Sequence, residues 1–239
     1  MNSKLDYIKA LSIIALATSI AFFANKRNQA KKIVSTNISF SNKSKFVSKK
    51  DVENVLAKRA KDTAKGNFTK LDLYNAEESL ALHSMISDAS LFVTIDGQLN
   101  AIIEQRKPIA RVMQRKGGYY IDEKANVMPL SKNYSERVLL ITGSVEKKHH
   151  DELYELANLI KNDSFLKKQI VEINRDRKGV FTLKTRLTNQ EIILGNSTNM
   201  KSKLDNYKVL YTKMSNEKII GKYKSFNLAF NSQVVCTKA

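Results

Sequence analysis

The side chains best suited to metal chemistry form one run of four residues, His149-His150-Asp151-Glu152. Imidazole nitrogens and carboxylate oxygens are common zinc ligands. Adjacent residues on a helix point about 100° apart, so both histidines could bind one ion only if the helix were distorted. We therefore interpret the run as the solvent-exposed start of a helix, and we predict no metal site.

The other reactive side chains are isolated in the sequence. The single cysteine, Cys236, excludes a disulfide within the chain and has no histidine near it, which favours a small apolar strand residue. His83 is interpreted as structural, and Arg106 and Arg175 are assigned no role although both could bind anions. The sequence has no phosphate-binding loop, no G-x-S-x-G motif and no H-E-x-x-H motif. We predict a protein with no catalytic residue, no cofactor and no small-molecule substrate.

The chain is strongly basic, with 41 Lys and Arg against 23 Asp and Glu and a net charge of +18. Nucleic-acid-binding proteins usually concentrate arginine on one element, whereas most of these cations are lysines spread along the chain. We interpret them as a solvated surface; the functional alternative is a weak attraction to anionic lipid or wall polymer. No nucleic-acid partner is predicted.

Residues 10–24 are uncharged and largely apolar. With Tyr7, Ile8 and a Lys9 that reaches the interface, the stretch has about 18 residues and spans about 27 Å as a helix, close to the thickness of a bilayer core. We predict a short tail over 1–9 and a single transmembrane helix over 10–25; a cleaved signal peptide is the alternative. Lysines after the stretch favour a cytoplasmic location for the large domain, but long domains translocate largely regardless of local charge.

The next part of the chain predicts a compact α+β unit. Ser48 and Asp51 are spaced as a capping box at a helix start, and Asp96-Gly97 is typical of a tight hairpin turn. The predicted order is strand, helix, helix, strand, strand: a strand with apolar residues Ile33 to Phe40, a helix over 46–60, a helix over 71–84 with Leu73, Leu80 and Leu82 among its apolar contacts, and alternating strands Leu91, Val93, Ile95 and Leu99, Ala101, Ile103.

The stretch that follows carries a family resemblance. The second hairpin strand runs into Glu104-Gln105-Arg106-Lys107-Pro108-Ile109-Ala110, and a further hairpin reads Tyr119-Tyr120-Ile121-Asp122, a turn, then Met128-Pro129-Leu130-Ser131. A lone membrane helix, this βααββ unit and these motifs together resemble the bacterial cell division family FtsQ, also called DivIB. The resemblance implies a POTRA-like domain over 33–107 and an FtsQ-type β domain over 108–239. The fold class is then α+β: a transmembrane helix, the POTRA-like domain, and a mixed antiparallel β domain with flanking helices.

The hairpin at Tyr119 departs from the family at one position. The family usually has glycine three residues after the Asp, where φ is positive, and here Ala125 stands there. A left-handed alanine costs on the order of 1 kcal/mol, so we expect the turn to shift and use Asn126. Tyr120 is expected to be buried, and Pro129, which lacks an N–H, predicts a sheet edge or a strand end.

The resemblance continues to the end of the chain. The matching segments are a strand over Arg137 to Gly143, a helix over 150–161, strands Val171 to Arg175 and Val180 to Leu183 around a Gly179 turn, a strand over Glu191 to Gly195, a helix over about 199–214, and a final stretch in which Phe226, Leu228 and Phe230 alternate.

The resemblance implies a non-enzymatic, single-pass scaffold of the divisome in the cytoplasmic membrane at the septum, with the large part extracytoplasmic. Its expected partners are FtsB-like and FtsL-like proteins and, indirectly, the septal synthases FtsW and FtsI. A terminal strand at a sheet edge can accept a partner strand; the family's binding strand matches Phe230, Asn231, Ser232, Gln233, Val234 and Val235. Two alternatives are a POTRA-containing export or outer-membrane assembly component, which we expect to need more POTRA repeats or a barrel, and a membrane-tethered nucleic-acid-binding protein.

Overall fold

The structure is a computed structural model that describes residues 2–29, 33–43, 45–62, 70–114, 117–186, 190–230 and 233–239. The chain divides into two compact units, Met1–Gln105 and Arg106–Ala239. The predicted boundaries between tail, anchor and domains stay predictions.

The first unit begins with one helix, α1, over Asn2–Gln29. Large apolar side chains along it, among them Leu11, Leu16 and Phe22, are exposed. Among the described residues, no helix reaches both the length and the apolar character needed to cross a bilayer. The transmembrane segment over 10–25 therefore remains a prediction.

The rest of the first unit has the predicted strand, helix, helix, strand, strand order. Its described elements are β1 (Ser35–Phe40), α2 (Lys49–Asp62), α3 (Lys70–Ala81), β2 (Ile86–Val93) and β3 (Gln98–Gln105). The strands lie in the order β1-β3-β2, with β3 parallel to β1 and antiparallel to β2. Alternate residues of β3, such as Ala101 and Ile103, are fully buried, which is the pattern of a sheet covered on one face.

Local signals in this unit act largely as predicted. Ser48 and Asp51 form a reciprocal capping box, in which each backbone N–H donates to the other side chain. Leu80 is buried, but Leu82 is exposed because α3 ends at Ala81, so its predicted apolar contact is wrong. Ile95 is also exposed because β2 ends at Val93 and Ile95 lies in the turn.

The second unit is one mixed sheet with helices. Its described strands are β4 (Pro108–Gln114), β5 (Gly117–Asp122), β6 (Val127–Pro129), β7 (Leu139–Gly143), β8 (Ile170–Arg175), β9 (Phe181–Thr185), β10 (Glu191–Gly195), β11 (Tyr223–Asn227) and β12 (Val235–Lys238), and its α-helices are α4 (His150–Asn162), α5 (Leu166–Gln169) and α6 (Met200–Asn216). The sheet order is β12-β11-β10-β9-β8-β7-β4-β5-β6. Three neighbouring pairs, β4 with β7, β7 with β8 and β10 with β11, are parallel.

The two faces of this sheet differ in polarity. Ile141, Ile173 and Leu183 share one face and are fully buried in a cluster with apolar residues of α4 and α6. The opposite face carries Glu172 and Lys184, which form an ion pair at 3.2 Å. A sheet with one apolar and one polar face is typical of a two-layer domain with one solvated face.

The β5–β6 hairpin has the predicted strands and an unpredicted turn. Tyr120 is buried, and Pro129 lies in β6, the last strand of the sheet order, as predicted. The expected shift to Asn126 is wrong, because Ala125 itself takes φ 62°. The buried Asp122 stabilises this turn, since its Oδ1 accepts the backbone N–H groups of Lys124 and Asn126 at 2.9 and 2.7 Å.

Residues near the start of helix α4 make hydrogen bonds to the same turn. The Nε2 of His150 donates to the carbonyl oxygen of Ala125 at 2.6 Å, and the Tyr154 hydroxyl donates to the carbonyl of Glu123 at 2.8 Å. His149 is buried, and its Nδ1 accepts the N–H of Glu146. The interpretation of the histidine pair as a solvent-exposed helix start is therefore wrong, because His149 is buried in a local capping contact and His150 makes a tertiary hydrogen bond.

Candidate protein-binding edge

Strand β12 ends the nine-strand order, and among the described strands it pairs only with β11. Val235, Cys236 and Thr237 lie opposite Asn227, Phe226 and Ser225, in that order. The side of β12 away from β11 therefore presents backbone groups that a further strand could pair with.

The orientation of these groups follows from one hydrogen bond. The N–H of Ala239 donates to the carbonyl of Lys222 at 2.9 Å, so it points toward β11. Successive N–H groups of a strand point to opposite sides, and the register shift of this pair lies in β11, between Tyr223 and Ser225. The N–H groups of Cys236 and Lys238 therefore point away from β11.

The predicted site residues lie mostly before this strand. Phe230, Gln233 and Val234 are in the connection between β11 and β12, Asn231 and Ser232 lie outside the described residues, and only Val235 belongs to β12. The structure begins the edge strand at Val235, later than the predicted segment: β11 ends at Asn227, and the N–H of Ala229 donates to the Oδ1 of Asn227 at 2.9 Å. The binding role of Phe230 to Val235 stays a prediction. The predicted site residues do not include Cys236, Thr237 and Lys238, for which the sequence signal is the β-prone run Val234-Val235-Cys236-Thr237.

The side chains of this segment alternate between two surroundings. Val234 and Cys236 are half-buried and pack against the core of the second unit, whereas Val235, 45% exposed, and Thr237 face the other side. Burial raises the pKa of the Cys236 thiol, so the thiol stays protonated at neutral pH, in agreement with its interpretation as a small apolar strand residue. Phe230 is 50% exposed and therefore does not belong to the core.

A buried lysine, Lys203, joins helix α6 to the end of strand β10, near the β12 edge. Gly195 ends β10 with φ 81°, and a Cβ there would lie 2.9 Å from the Cβ of Ala229. The Nζ of Lys203, on α6, donates to the backbone carbonyl and the Oδ1 of Asn196 at 3.1 and 3.0 Å. Burial lowers the pKa of Lys203. The hydrogen bonds of Lys203 join α6 to the end of β10, and Ala229, which follows β11, lies against that same end.

The two arginines considered as anion sites have carboxylate partners. The Nη1 of Arg106 lies 3.2 Å from Asp122, and the Nε of Arg175 lies 2.8 Å from Glu152. Their role is structural. Through the described ranges, no cluster of three or more His, Cys, Asp or Glu side chains could hold a metal ion.

The family of the chain follows from its match to family models. The model described as FtsQ/DivIB, C-terminal related, matches residues 107–237, which is more than half of the chain. The chain belongs to the FtsQ/DivIB family. A POTRA-like domain model matches residues 30–104, so the FtsQ/DivIB-related part follows a POTRA-like domain. This is a family of bacterial cell division proteins.

One solved structure of the family is similar to part of the chain. It is the major extracytoplasmic domain of the trans isomer of the cell division protein DivIB from Geobacillus stearothermophilus, at 14% sequence identity. The similarity covers 46% of this chain and 95% of that chain with a TM-score of 0.32, which is too low to support a residue-level comparison. No curated protein matches the chain.

Proposed function

We propose that this FtsQ/DivIB-family protein is a non-enzymatic, single-pass membrane scaffold of the divisome. Its extracytoplasmic part binds FtsB-like and FtsL-like division proteins and, through them, connects to the septal synthases FtsW and FtsI. The observation that carries the proposal is the open edge at β12 in the part of the chain that matches the family.

The membrane anchor in this proposal is α1. Its uncharged run over 10–24 lies within one continuous helix, Asn2–Gln29. A reporter fused at the C-terminus, active only outside the cytoplasm, is expected to be active. An inactive reporter that is still expressed and membrane-bound would contradict the extracytoplasmic location and would favour the membrane-tethered nucleic-acid binder.

The binding mechanism is addition of a partner strand beside β12. The outward N–H groups of Cys236 and Lys238 supply donors for the partner's carbonyl groups, and the neighbouring side chains select its sequence. The exposed Val235 and Phe230 supply apolar contacts next to the new strand. Because backbone pairing is insensitive to side-chain charge, the affinity should depend on the outward N–H groups more than on the lysines.

A proline substitution with a matched alanine control tests this mechanism. Cys236→Pro removes an outward N–H. Because this N–H points away from β11, its loss leaves the hydrogen bonds between β12 and β11 intact. Cys236→Ala keeps the N–H and removes the same thiol. We expect Cys236→Pro to weaken binding of a strand peptide from the FtsB-like partner by about fivefold, since the one lost hydrogen bond contributes about 1 kcal/mol.

The measurement is titration of the labelled peptide against the full chain in nanodiscs. The alanine variant should bind within about twofold of the unchanged protein, because no backbone donor is lost. Equal affinities of the proline and alanine variants, with both proteins folded by circular dichroism, would contradict strand addition at β12.

A further inference from the structure

One end of the POTRA-like domain displays two exposed apolar side chains. Ile95, in the β2–β3 turn, is 87% exposed and is the most exposed large apolar side chain among the described residues; Val34, just before β1, is 80% exposed. The N–H of Val34 donates to the carbonyl of Gly97 at 3.0 Å, which places the two segments side by side. We call Val34 and the turn Thr94–Gly97 the apolar tip.

Backbone hydrogen bonds hold the turn at the tip in one conformation. The N–H of Thr94 donates to the carbonyl of Gln98 at 2.9 Å, and the N–H of Gly97 donates to the carbonyl of Thr94 at 3.1 Å. Gly97 takes φ 82°, a conformation that glycine adopts without strain. Ile95 is therefore presented to the surroundings by an ordered hairpin, where burial of its side chain would be favourable.

The length of the connection to α1 limits how far the tip can lie from the membrane. Helix α1 ends at Gln29, and Val34 is five residues later in the chain. A fully extended chain covers about 3.5 Å per residue, so Val34 lies within about 17 Å of the end of α1. If α1 crosses the membrane as proposed above, the apolar tip is within reach of the interface where α1 leaves the membrane.

The charged residues that precede the tip in the sequence, together with Asp96, fit the headgroup region of a bilayer. The sequence between the uncharged run of α1 and β1 contains Lys26, Arg27, Lys31 and Lys32, and a basic juxtamembrane segment is attracted to anionic lipid. Asp96, exposed beside Ile95, limits insertion to a depth at which the carboxylate stays hydrated.

We propose that the apolar tip inserts into the lipid headgroup interface of the membrane that carries α1. This inference rests on the proposed anchor and adds a second lipid contact, which restricts the orientation of the POTRA-like domain at the membrane. The continuity of the chain with α1 favours lipid over another protein as the occupant of the tip.

Leu82 is a matched control within the same domain. It is 79% exposed, but it follows α3 and precedes β2, whereas Ile95 follows the far end of β2. Strand β2 has eight residues, which at about 3.3 Å per residue separate its two ends by more than 20 Å. Lipid contact at the apolar tip therefore predicts that Leu82 stays in water.

The experiment places one environment-sensitive fluorophore at each position. Ile95→Cys, Val34→Cys and Leu82→Cys are made in a Cys236→Ser background, labelled, and reconstituted as full chains in vesicles of phosphatidylethanolamine and phosphatidylglycerol. We expect blue-shifted emission and quenching by spin-labelled lipid for the labels at 95 and 34. The label at 82 should report water and be quenched by soluble iodide.

The outcomes separate this inference from the proposed anchor. Alkaline extraction of the same vesicles tests the anchor, since a protein held by α1 stays with the membrane. Retention of the protein with an aqueous signal at 95 and 34 would overturn the inference and leave the anchor standing. A blue shift at 95 in vesicles that spin-labelled lipid does not quench would mean that the tip packs against protein, and it would also overturn the inference.

Discussion

Two buried tyrosines of the second unit should respond in opposite ways to the same substitution. Tyr207, on α6, is 0% exposed and Tyr120, on β5, is 1% exposed. Among the described atoms the Tyr207 hydroxyl has no hydrogen-bond partner, whereas the Tyr120 hydroxyl lies 3.3 Å from the Ser135 hydroxyl and accepts the N–H of Glu136 at 3.2 Å. Burial raises the pKa of Tyr207, which agrees with a hydroxyl shut off from water.

The magnitudes follow from the cost of an unpaired buried hydroxyl. Such a group costs about 1–3 kcal/mol, and the small void that Phe would leave costs about 0.3 kcal/mol at ~24 cal/mol per Å³. Tyr207→Phe should therefore raise the free energy of unfolding by about 1–2 kcal/mol. Its ring contacts with Phe165 and Phe226, at centroid distances of 6.3 and 5.7 Å, remain available to Phe. Tyr120→Phe should lower the free energy of unfolding by about 1–3 kcal/mol.

Hydrogen exchange in increasing urea measures these changes within the second unit. Amides of β8, β9 and β10 lie in the middle of the sheet and report its opening. A local readout is needed because a chain with two units does not unfold in one two-state transition. If both substitutions lowered the free energy of opening by the same amount, the unpaired hydroxyl would not be a cost, and the reasoning would be refuted.

Two further predictions concern a strained turn and a helix cap. Ala125→Gly should raise the free energy of unfolding by up to about 1 kcal/mol, because glycine adopts a positive φ without strain. Only part of that gain is offset by the greater conformational freedom of glycine in the unfolded chain. A decrease measured by the same exchange method would contradict this. Asp163 accepts the N–H groups of Phe165 and Leu166, and the hydrogen bond from Lys208 is the main cause that lowers the pKa of its carboxyl group. The contribution of the Asp163 carboxylate to the free energy of unfolding is therefore present above the pKa of Asp in the unfolded chain, near 4. It is lost as the pH falls through the lower pKa of Asp163 in the folded protein. Asp163→Asn keeps the Oδ1 acceptor but removes the charge that pairs with Lys208. It should therefore lower the free energy of unfolding at pH 7 and make the decline of that free energy in acid smaller. An unchanged acid profile would argue against the ion pair as the cause.

Local and periodic signals predicted most elements of the chain. The capping box at Ser48, the glycine turns at Gly97 and Gly179, and the apolar face of α4 each depend on residues close in sequence, so the pattern alone identifies them. The parallel pairing of β10 with β11 is different. It joins strands separated by the whole of α6, and periodicity carries no information about which distant strands become neighbours.

The wrong prediction at Ala125 has a physical cause. Only the local cost of a positive φ was counted, yet His150 donates to the Ala125 carbonyl from a distant part of the chain, and Asp122 accepts two N–H groups within the turn itself. The predicted edge segment differs from β12 because alternation through Phe230 indicated one continuous strand. In the structure β11 ends at Asn227, whose Oδ1 accepts the N–H of Ala229, and Ala229 lies close to Gly195.

The two ends of the large sheet are not equivalent as binding edges. Strand β6 has three residues and contains Pro129, which has no N–H to donate. Strand β12 contains no proline, and its outward N–H groups at Cys236 and Lys238 are intact. Strand β12 is nevertheless short and ends in an exposed lysine, two features that protect sheet edges from pairing with a second copy. A partner strand with an acidic residue opposite Lys238 would gain an opposite-charge pair, so the edge favours a complementary segment over its own copy.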